Sequence, residues 1–254
     1  MTPAPTSGSC LASLDILVLA GGLGTRIRPT LGHLPKLLAP IRGRPYLDYL
    51  LDWVRRYGAR RVILGLGHHA QAVLDHLRLQ PCGDFEVAAV VEPRPLGTAG
   101  AIGFARRELH SDPVLVMNGD SFAEADLCAF VARHRALGAA ASVLCTEVDD
   151  AGRYGRVEID EDGWVLRFVE KDARFSGKAA INAGVYLLSA RLLDDIVTHG
   201  ATSIERDVLQ RLPPKTLAAF SGRFAFIDIG TPESLAVADS FFAEGGSGAK
   251  AGDR

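Results

Sequence analysis

Gly21, Gly22 and Gly24, followed by Arg26 and Arg28, are the first residues whose types and spacing could do chemistry. They end the apolar run of Leu17-Val-Leu-Ala-Gly-Gly-Leu-Gly-Thr-Arg-Ile-Arg-Pro-Thr30. Glycine lets a backbone come close to a ligand, because no Cβ intervenes and positive φ is open to it. Successive N–H groups can then cradle an anion, and an arginine can hold phosphate oxygens through two donors at once. The pattern is therefore a phosphate-site arrangement, yet it matches neither familiar glycine loop. The spacing G-x-x-x-x-G-K-[ST] is missing, and Gly22-x-Gly24-x-x is followed by Ile27 where a dinucleotide fold has Gly or Ala. Taken alone, a tight turn with solvated arginines fits this loop equally well.

The elements around the loop give it a context. Apolar runs alternate with helical patterns, which predicts a mostly parallel sheet covered by helices on both faces. Strands are expected at Asp15–Leu19, Arg61–Leu66, Glu86–Val91, Val114–Asn118 and Ala140–Cys145. Helices are expected over Pro45–Tyr57, over Ala70–Leu79, from near Thr98, and from near Asp126 to a stop at Gly138. Past residue 150 the pattern changes: Val157–Asp160 and Val165–Glu170 flank Asp162-Gly163, a hairpin turn signal. Ile181–Leu188 reads as a further strand, Phe224–Ile229 as the last, and Ser203–Arg211 and Pro232–Phe242 as helices. The expectation is one three-layer, Rossmann-like α/β domain over residues 14–243, with added antiparallel strands in its second half. Residues 1–13 and 244–254 read as disordered tails. In open α/β sheets ligands sit beyond the carboxyl ends of the strands. There this sequence places Gly21–Arg28, Glu92–Gly100, Asn118-Gly119-Asp120 and Asp228.

Composition narrows the classes. The chain has 254 residues, 48% of them apolar, and a net charge of −2, which argues against a general nucleic-acid or anionic-membrane surface. No apolar run approaches the roughly 18–20 residues of a membrane span. The start lacks the basic residues of a signal peptide. Cys10, Cys82, Cys128 and Cys145 show no C-x-x-C pair and no metal-ligand spacing with the histidines, so they are expected to be reduced thiols of a cytoplasmic protein. His68-His69 has no carboxylate or cysteine at ligand spacing and reads as a loop pair.

The ordered set of motifs resembles the sugar-1-phosphate nucleotidyltransferase family over roughly residues 14–242. The motifs are Leu-Ala-Gly-Gly-x-Gly-Thr-Arg at 19–26, Pro35-Lys36, Leu96-Gly-Thr-Ala-Gly100, Asn118-Gly-Asp120, Glu170-Lys171, Asn182-Ala-Gly184 and Asp228-x-Gly-Thr231. The resemblance implies an enzyme joining a nucleoside triphosphate to a sugar 1-phosphate with release of pyrophosphate. Its nucleophile, a phosphate monoester oxygen, is already anionic near neutrality because the second pKa is about 6. No side-chain base is then required, and catalysis rests on positioning and on electrostatic stabilisation. The implied catalytic set is Arg26 on the triphosphate, Lys36 between the α-phosphate and the sugar phosphate, and Asp120 and Asp228 holding Mg²⁺, an ion that binds through one or two carboxylates plus phosphate oxygens. Asp120 also reads as a turn residue or helix cap, and Asp228 as a cap for the helix at Pro232. The nucleotide would lie on Leu19, Ala20, Gly21, Gly22, Gly24, Thr25 and Arg26, with Glu92, Gly97 and Thr98. The sugar phosphate would meet Asn118, Gly155, Glu170, Lys171 and Asn182.

Two further stretches, Leu37–Leu51 and Phe226–Pro232, resemble members that use GTP and D-glycero-α-D-manno-heptose 1-phosphate to make GDP-heptose for a surface glycan. Leu96–Gly100 also resembles mannose-1-phosphate guanylyltransferases. Glu92 suits guanine, since a carboxylate can accept from both N1–H and the N2 amine; a surface carboxylate is the other reading. Mannose, glucose or N-acetylmuramic acid 1-phosphate remain alternatives, as does a non-catalytic nucleotide-sugar sensor. The resemblance also implies a homodimer, and a chain without the additional domain of longer members.

Overall fold

The structure is a computed structural model, and it describes residues 8–22, 24–79, 85–172 and 174–244. Along the chain run β1 (Asp15–Ala20), α1 (Arg28–Leu31), β2 (Pro40–Ile41), β3 (Arg44–Pro45), α2 (Tyr46–Arg56), β4 (Arg61–Leu66), α3 (Ala70–Leu79), β5 (Glu86–Val91), α4 (Gly97–Ala105), β6 (Val114–Asn118), β7 (Ser121–Ala123) and α5 (Leu127–Leu137). The second half adds β8 (Ala141–Val148), β9 (Arg156–Ile159), β10 (Val165–Val169), β11 (Ala179–Leu188), α6 (Ala190–His199), β12 (Leu217–Gly222), β13 (Phe226–Asp228), α7 (Pro232–Ala236) and α8 (Ala238–Glu244).

The first-half strands are parallel in the order β6-β1-β4-β5. Successive side chains of a strand point to opposite faces, and here that alternation builds two cores. Ile16 and Val18 of β1 join Val62 and Leu64 of β4 under Leu47, Leu50 and Val54 of α2. Leu17 and Ile63, the residues between, pack with Ala99, Ile102 and Ala105 of α4 on the other face. Burial on both faces is why these strands read as unbroken apolar runs. Asp126 caps α5 by accepting from the N–H groups of Cys128 and Ala129 at 2.9 and 3.1 Å, and Gly138 ends it at φ 56°.

The long strand β11 joins the halves. Its end, Val185–Leu188, lies antiparallel to β6, Ala179–Asn182 and Tyr186–Leu188 pair with β8 on either side of a register shift, and β12 runs parallel to β8. Ile181, earlier on β11, pairs with Arg156, so the β9–β10 hairpin sits beyond the carboxyl end of β6. The chain thereby places second-half residues over the open end of the parallel sheet.

Several expectations are corrected. The last strand is not in the main sheet: among the described residues β13 pairs only with β7, in a separate two-stranded ladder with Asp228 opposite Ser121. Ile204–Val208 is a π-helical turn followed by a 3₁₀ turn, Leu209–Arg211, in place of one helix, and the final helix is interrupted at Val237. The strand β12 and the helix α6 were not anticipated. Within residues 8–13, expected in the tail, Leu11 is fully buried and donates its N–H to the Tyr57 carbonyl at 3.0 Å. Glu244 belongs to α8 and not to a tail. Cys10 and Cys128 form a disulfide with Cα atoms 5.5 Å apart, so these two are not the free thiols expected. Cys145 is a free, buried thiol that burial pushes up to about 12. Residues 1–7 and 245–254 and Cys82 lie outside the described residues. Among those described, no helix is long and apolar enough to cross a membrane. Leu11→Ala should cost about 2–5 kcal/mol of stability, the usual range for a buried leucine, measured by urea unfolding; a tail residue would change nothing.

Candidate active site

The carboxyl ends of β1, β4, β5 and β6 surround a cavity of about 340 Å³, within the usual size range of small-molecule sites. Leu19, Ala20, Gly21, Gly22, Gly24, Lys36, Glu92, Gly97, Thr98, Asn118 and Asp120 line it, together with Arg28, His68 and His69. Thr25 and Arg26 are exposed on the same loop outside this lining, and Gly155, Glu170, Lys171, Asn182 and Asp228 also lie outside it.

The glycine loop is shaped by what lies against it. A Cβ on Gly21 would stand 2.5 Å from Glu92 Oε1, so the carboxylate occupies the space a side chain would fill. Glu92 is 8% exposed, and its Oε2 accepts from the N–H of Leu96 at 3.1 Å. Burial raises its carboxyl above the usual range, and the Leu96 bond partly opposes this. A carboxylate oxygen has more than one lone pair, so the Leu96 bond orients the group without exhausting it.

Lys36 opens the 3₁₀ turn Lys36–Leu38, and its Nζ meets Asp120 Oδ2 at 2.9 Å. Asp120 follows β6 in the turn into β7, and its carbonyl accepts from the N–H of Ile229 at 2.8 Å. That bond and the β7–β13 ladder bring Asp228 beside Asp120. Burial and the Asp120 charge raise the Asp228 carboxyl above its ordinary value, against a bond from the N–H of Gly230 and the charges of Lys36 and Arg26. The helix at Pro232 is capped by Thr231 with Ser234, so capping is not the task of Asp228. Among the described residues no group of three or more His, Cys, Asp or Glu side chains could hold a metal ion. The donor set is this carboxylate pair, which fits Mg²⁺ completed by phosphate oxygens and water.

The residues expected on the sugar side come from four strands, β6, β9, β10 and β11. Gly155 precedes β9 and its carbonyl accepts from the N–H of Asn182 at 3.5 Å. Glu170 and Lys171 are exposed just past β10, whose Val169 pairs with Arg156. Gly184 has φ +73°, and a Cβ there would lie 2.5 Å from Asn118 Nδ2, so β11 bends under the Asn118 amide. The Asn182 Nδ2 donates to the Tyr186 hydroxyl at 2.7 Å, which in turn donates to Glu205 Oε1 at 2.7 Å. Thr98 Oγ1 accepts from the N–H of Ile204 at 2.8 Å, which ties this network to α4 at the cavity. Tyr186 and Glu205 escaped sequence reasoning: one sits in an apolar strand and the other in a predicted helix, where a glutamate carries no signal. His69 was read only as a loop residue. It holds φ +65°, its Nε2 is buried without a partner among the described residues, and its ring lies 3.8 Å from His68 and 5.9 Å from His33.

A glycine loop, a lysine on an aspartate, and a second aspartate beside it, all at the open end of an α/β sheet, define a nucleotidyl-transfer type of site. Residues 16–245 match the family described as nucleotidyl transferase, and the chain belongs to that family. It is 35% identical over 235 residues to a probable mannose-1-phosphate guanylyltransferase of Oryza sativa, covering 86% of this chain but 62% of that protein. It is 29% identical over 220 residues to the D-glycero-α-D-manno-heptose 1-phosphate guanylyltransferase of Campylobacter jejuni, covering 87% of this chain and 96% of that protein. The crystal structure of HddC from Yersinia pseudotuberculosis superposes with a TM-score of 0.82 at 35% identity, covering 90% of this chain and 99% of that one. HddC has also been solved complexed with GMP-PN, matching at a TM-score of 0.81.

Proposed function

We propose that this protein transfers a guanylyl group from GTP to D-glycero-α-D-manno-heptose 1-phosphate, giving GDP-heptose and pyrophosphate. The observation that carries the reaction class is the Lys36–Asp120 contact of 2.9 Å beside Asp228 at the end of the glycine-loop cavity. The guanine and heptose assignments are supported by the Campylobacter relative, matched over nearly all of both chains. A mannose 1-phosphate acceptor is the second reading, because the Oryza relative is more similar in identity, at 35% against 29%. In this reading the protein, as a consumer of GTP, works in the cytoplasm, a location that the Cys10–Cys128 disulfide does not support.

In this reading the sugar phosphate oxygen attacks the α-phosphorus of GTP, the bond to the β-phosphate breaks, and pyrophosphate departs with the electron pair. The N–H groups of Gly21, Gly22, Gly24 and Thr25 and the Arg26 guanidinium hold the triphosphate. Lys36 turns from Asp120 to the phosphates and draws the two anions together, the positioning that makes up much of such catalysis. Asp120 and Asp228 would hold Mg²⁺, which would supply positive charge to offset that of the departing pyrophosphate. On the sugar side Glu170 accepts from hydroxyls, the Asn182 Oδ1, which already accepts from the N–H of Gly184, offers its second lone pair to another, Lys171 holds the phosphate, and Asn118 and the Gly155 backbone lie against the ring.

The test is pyrophosphate release with Mg²⁺ across four nucleoside triphosphates and heptose, mannose and glucose 1-phosphates. Release confined to GTP with the heptose is expected. Release with mannose 1-phosphate instead selects the second reading, and silence across the panel with GDP-sugar still bound leaves a sensor. In the same assay Glu92→Gln should lower the preference for GTP over UTP about 10- to 100-fold, the loss of a hydrogen bond to a charged group of about 1.5–3 kcal/mol. An unchanged preference would remove Glu92 from base recognition.

A further inference from the structure

Tyr46 carries a hydroxyl that nothing described so far employs. It is the first residue of α2, its side chain is 0% exposed, and its Oη is buried with no hydrogen-bond partner among the described residues. A buried hydroxyl left unpaired costs about 1–3 kcal/mol, and phenylalanine would keep the ring's edge contact with Phe242 without that cost. The position of Tyr46 is tied to the site. Its N–H donates to the Ala39 carbonyl at 3.0 Å, and the N–H of Ala39 donates to the Lys36 carbonyl at 2.9 Å. Tyr46 and Lys36 therefore belong to one hydrogen-bonded unit. The Tyr46 ring meets Phe242 edge-on at 6.2 Å, and Phe242 meets Phe122 at 5.1 Å, which pairs with Ile227 on the β7–β13 ladder that carries Asp120 and Asp228. Burial, with the charges of those two aspartates, holds the phenol well above the usual tyrosine range. The phenol thus keeps its proton and can only donate to them or accept.

In the free protein Asp120 is engaged by Lys36. Once the ammonium turns to substrate phosphate, Asp120 loses that donor while both carboxylates must converge on one ion. We propose that Tyr46 is a positioning residue whose hydroxyl donates to the Asp120–Asp228 pair and holds it in the arrangement that binds the divalent cation. This rests on the reading of those two aspartates as the cation-holding pair. It explains why an apolar pocket holds a polar atom without a partner: the partner is the rearranged carboxylate of the loaded site. Groups that orient a metal's ligands typically change affinity by about 10- to 100-fold when removed.

The experiment uses the full chain and Mn²⁺ as the probe, with binding followed by electron paramagnetic resonance in the presence of a non-hydrolysable GTP analogue. Tyr46→Phe should weaken Mn²⁺ binding about 10-fold, while its melting temperature in EDTA equals or exceeds that of the unsubstituted protein. Superimposable Mn²⁺ curves would overturn the proposal. So would a clear loss of stability in EDTA, since that would give the hydroxyl a partner in the free protein. Asp228→Asn separates this from the underlying reading. If Asp228→Asn abolishes Mn²⁺ binding and Tyr46→Phe leaves it intact, only the tyrosine proposal falls. If Asp228→Asn binds Mn²⁺ normally, the cation-pair reading fails and the tyrosine proposal with it.

Discussion

Lys36→Ala is expected to lower kcat about 10²- to 10³-fold, the loss seen when one preorganised group facing developing charge is removed, about 2.7–4 kcal/mol. The same substitution should barely disturb the fold. Lys36 and Asp120 keep 20% and 31% of their side chains exposed, and a partly solvated pair of this kind contributes no more than about 1 kcal/mol. KM for GTP should change little, because the glycine loop and Arg26 supply most of the ground-state grip on the triphosphate. Lys36→Arg should recover only part of the rate, since a planar guanidinium cannot replace a compact ammonium between two phosphates. Pyrophosphate-release kinetics beside thermal melting checks both halves. Activity within threefold of the unsubstituted protein, or a rate loss that merely follows a fall in melting temperature, would remove Lys36 from the chemistry.

Asp228→Asn should separate activity from stability in opposite directions. Burial and the neighbouring Asp120 raise the Asp228 carboxyl in the folded protein. A group whose pKa is higher folded than unfolded binds its proton more tightly in the folded state. That contribution to stability is fully present below the unfolded value and is lost as pH rises through the folded one. At neutral pH in EDTA the ionised carboxylate therefore weakens the fold, and the neutral amide relieves it while still accepting from the N–H of Gly230. We expect Asp228→Asn to melt higher than the unsubstituted protein at pH 7 in EDTA, with the gap closing on acidification. Its turnover should fall about 10²-fold or more, as expected when electrostatic stabilisation of the departing group is lost. This is the exchange of stability for activity that strained charge at a functional site produces. A variant less stable than the unsubstituted protein at pH 7 would contradict the sign.

Local features were legible in the residues themselves. The bounds of β4, β5, β6 and α3 coincide with those read from apolar runs, because a strand buried on both faces and a helix with one apolar stripe are marked by their own neighbours. Asp126 and Gly138 bracket α5 as the capping rules require, since a cap satisfies donors and acceptors within a few residues. The glycine loop, Glu92 and Asp120 could be assigned to one end of the sheet, because a parallel strand delivers its following loop there, whereas Lys36 was legible only through the family resemblance. What needed the tertiary structure lies far apart in sequence. The Cys10–Cys128 bond closes 118 residues, and no spacing rule reaches that far. Asp228 reaches Asp120 through the β7–β13 ladder, formed by short strands that leave little periodic signal. Asn182, Tyr186 and Glu205 form a chain of polar contacts only because β11 and the turn after α6 are brought together at α4. Sequence by itself marked the buried strands, the amphipathic helices and their caps, since these follow from side-chain type and local periodicity, while the class of site and its charged residues came from the resemblance of the ordered motifs to a known family. Only the packed structure decided how Asp228 is carried to Asp120, which amide is already engaged, and which buried hydroxyl is left without a partner among the described residues, because each depends on contacts between distant segments.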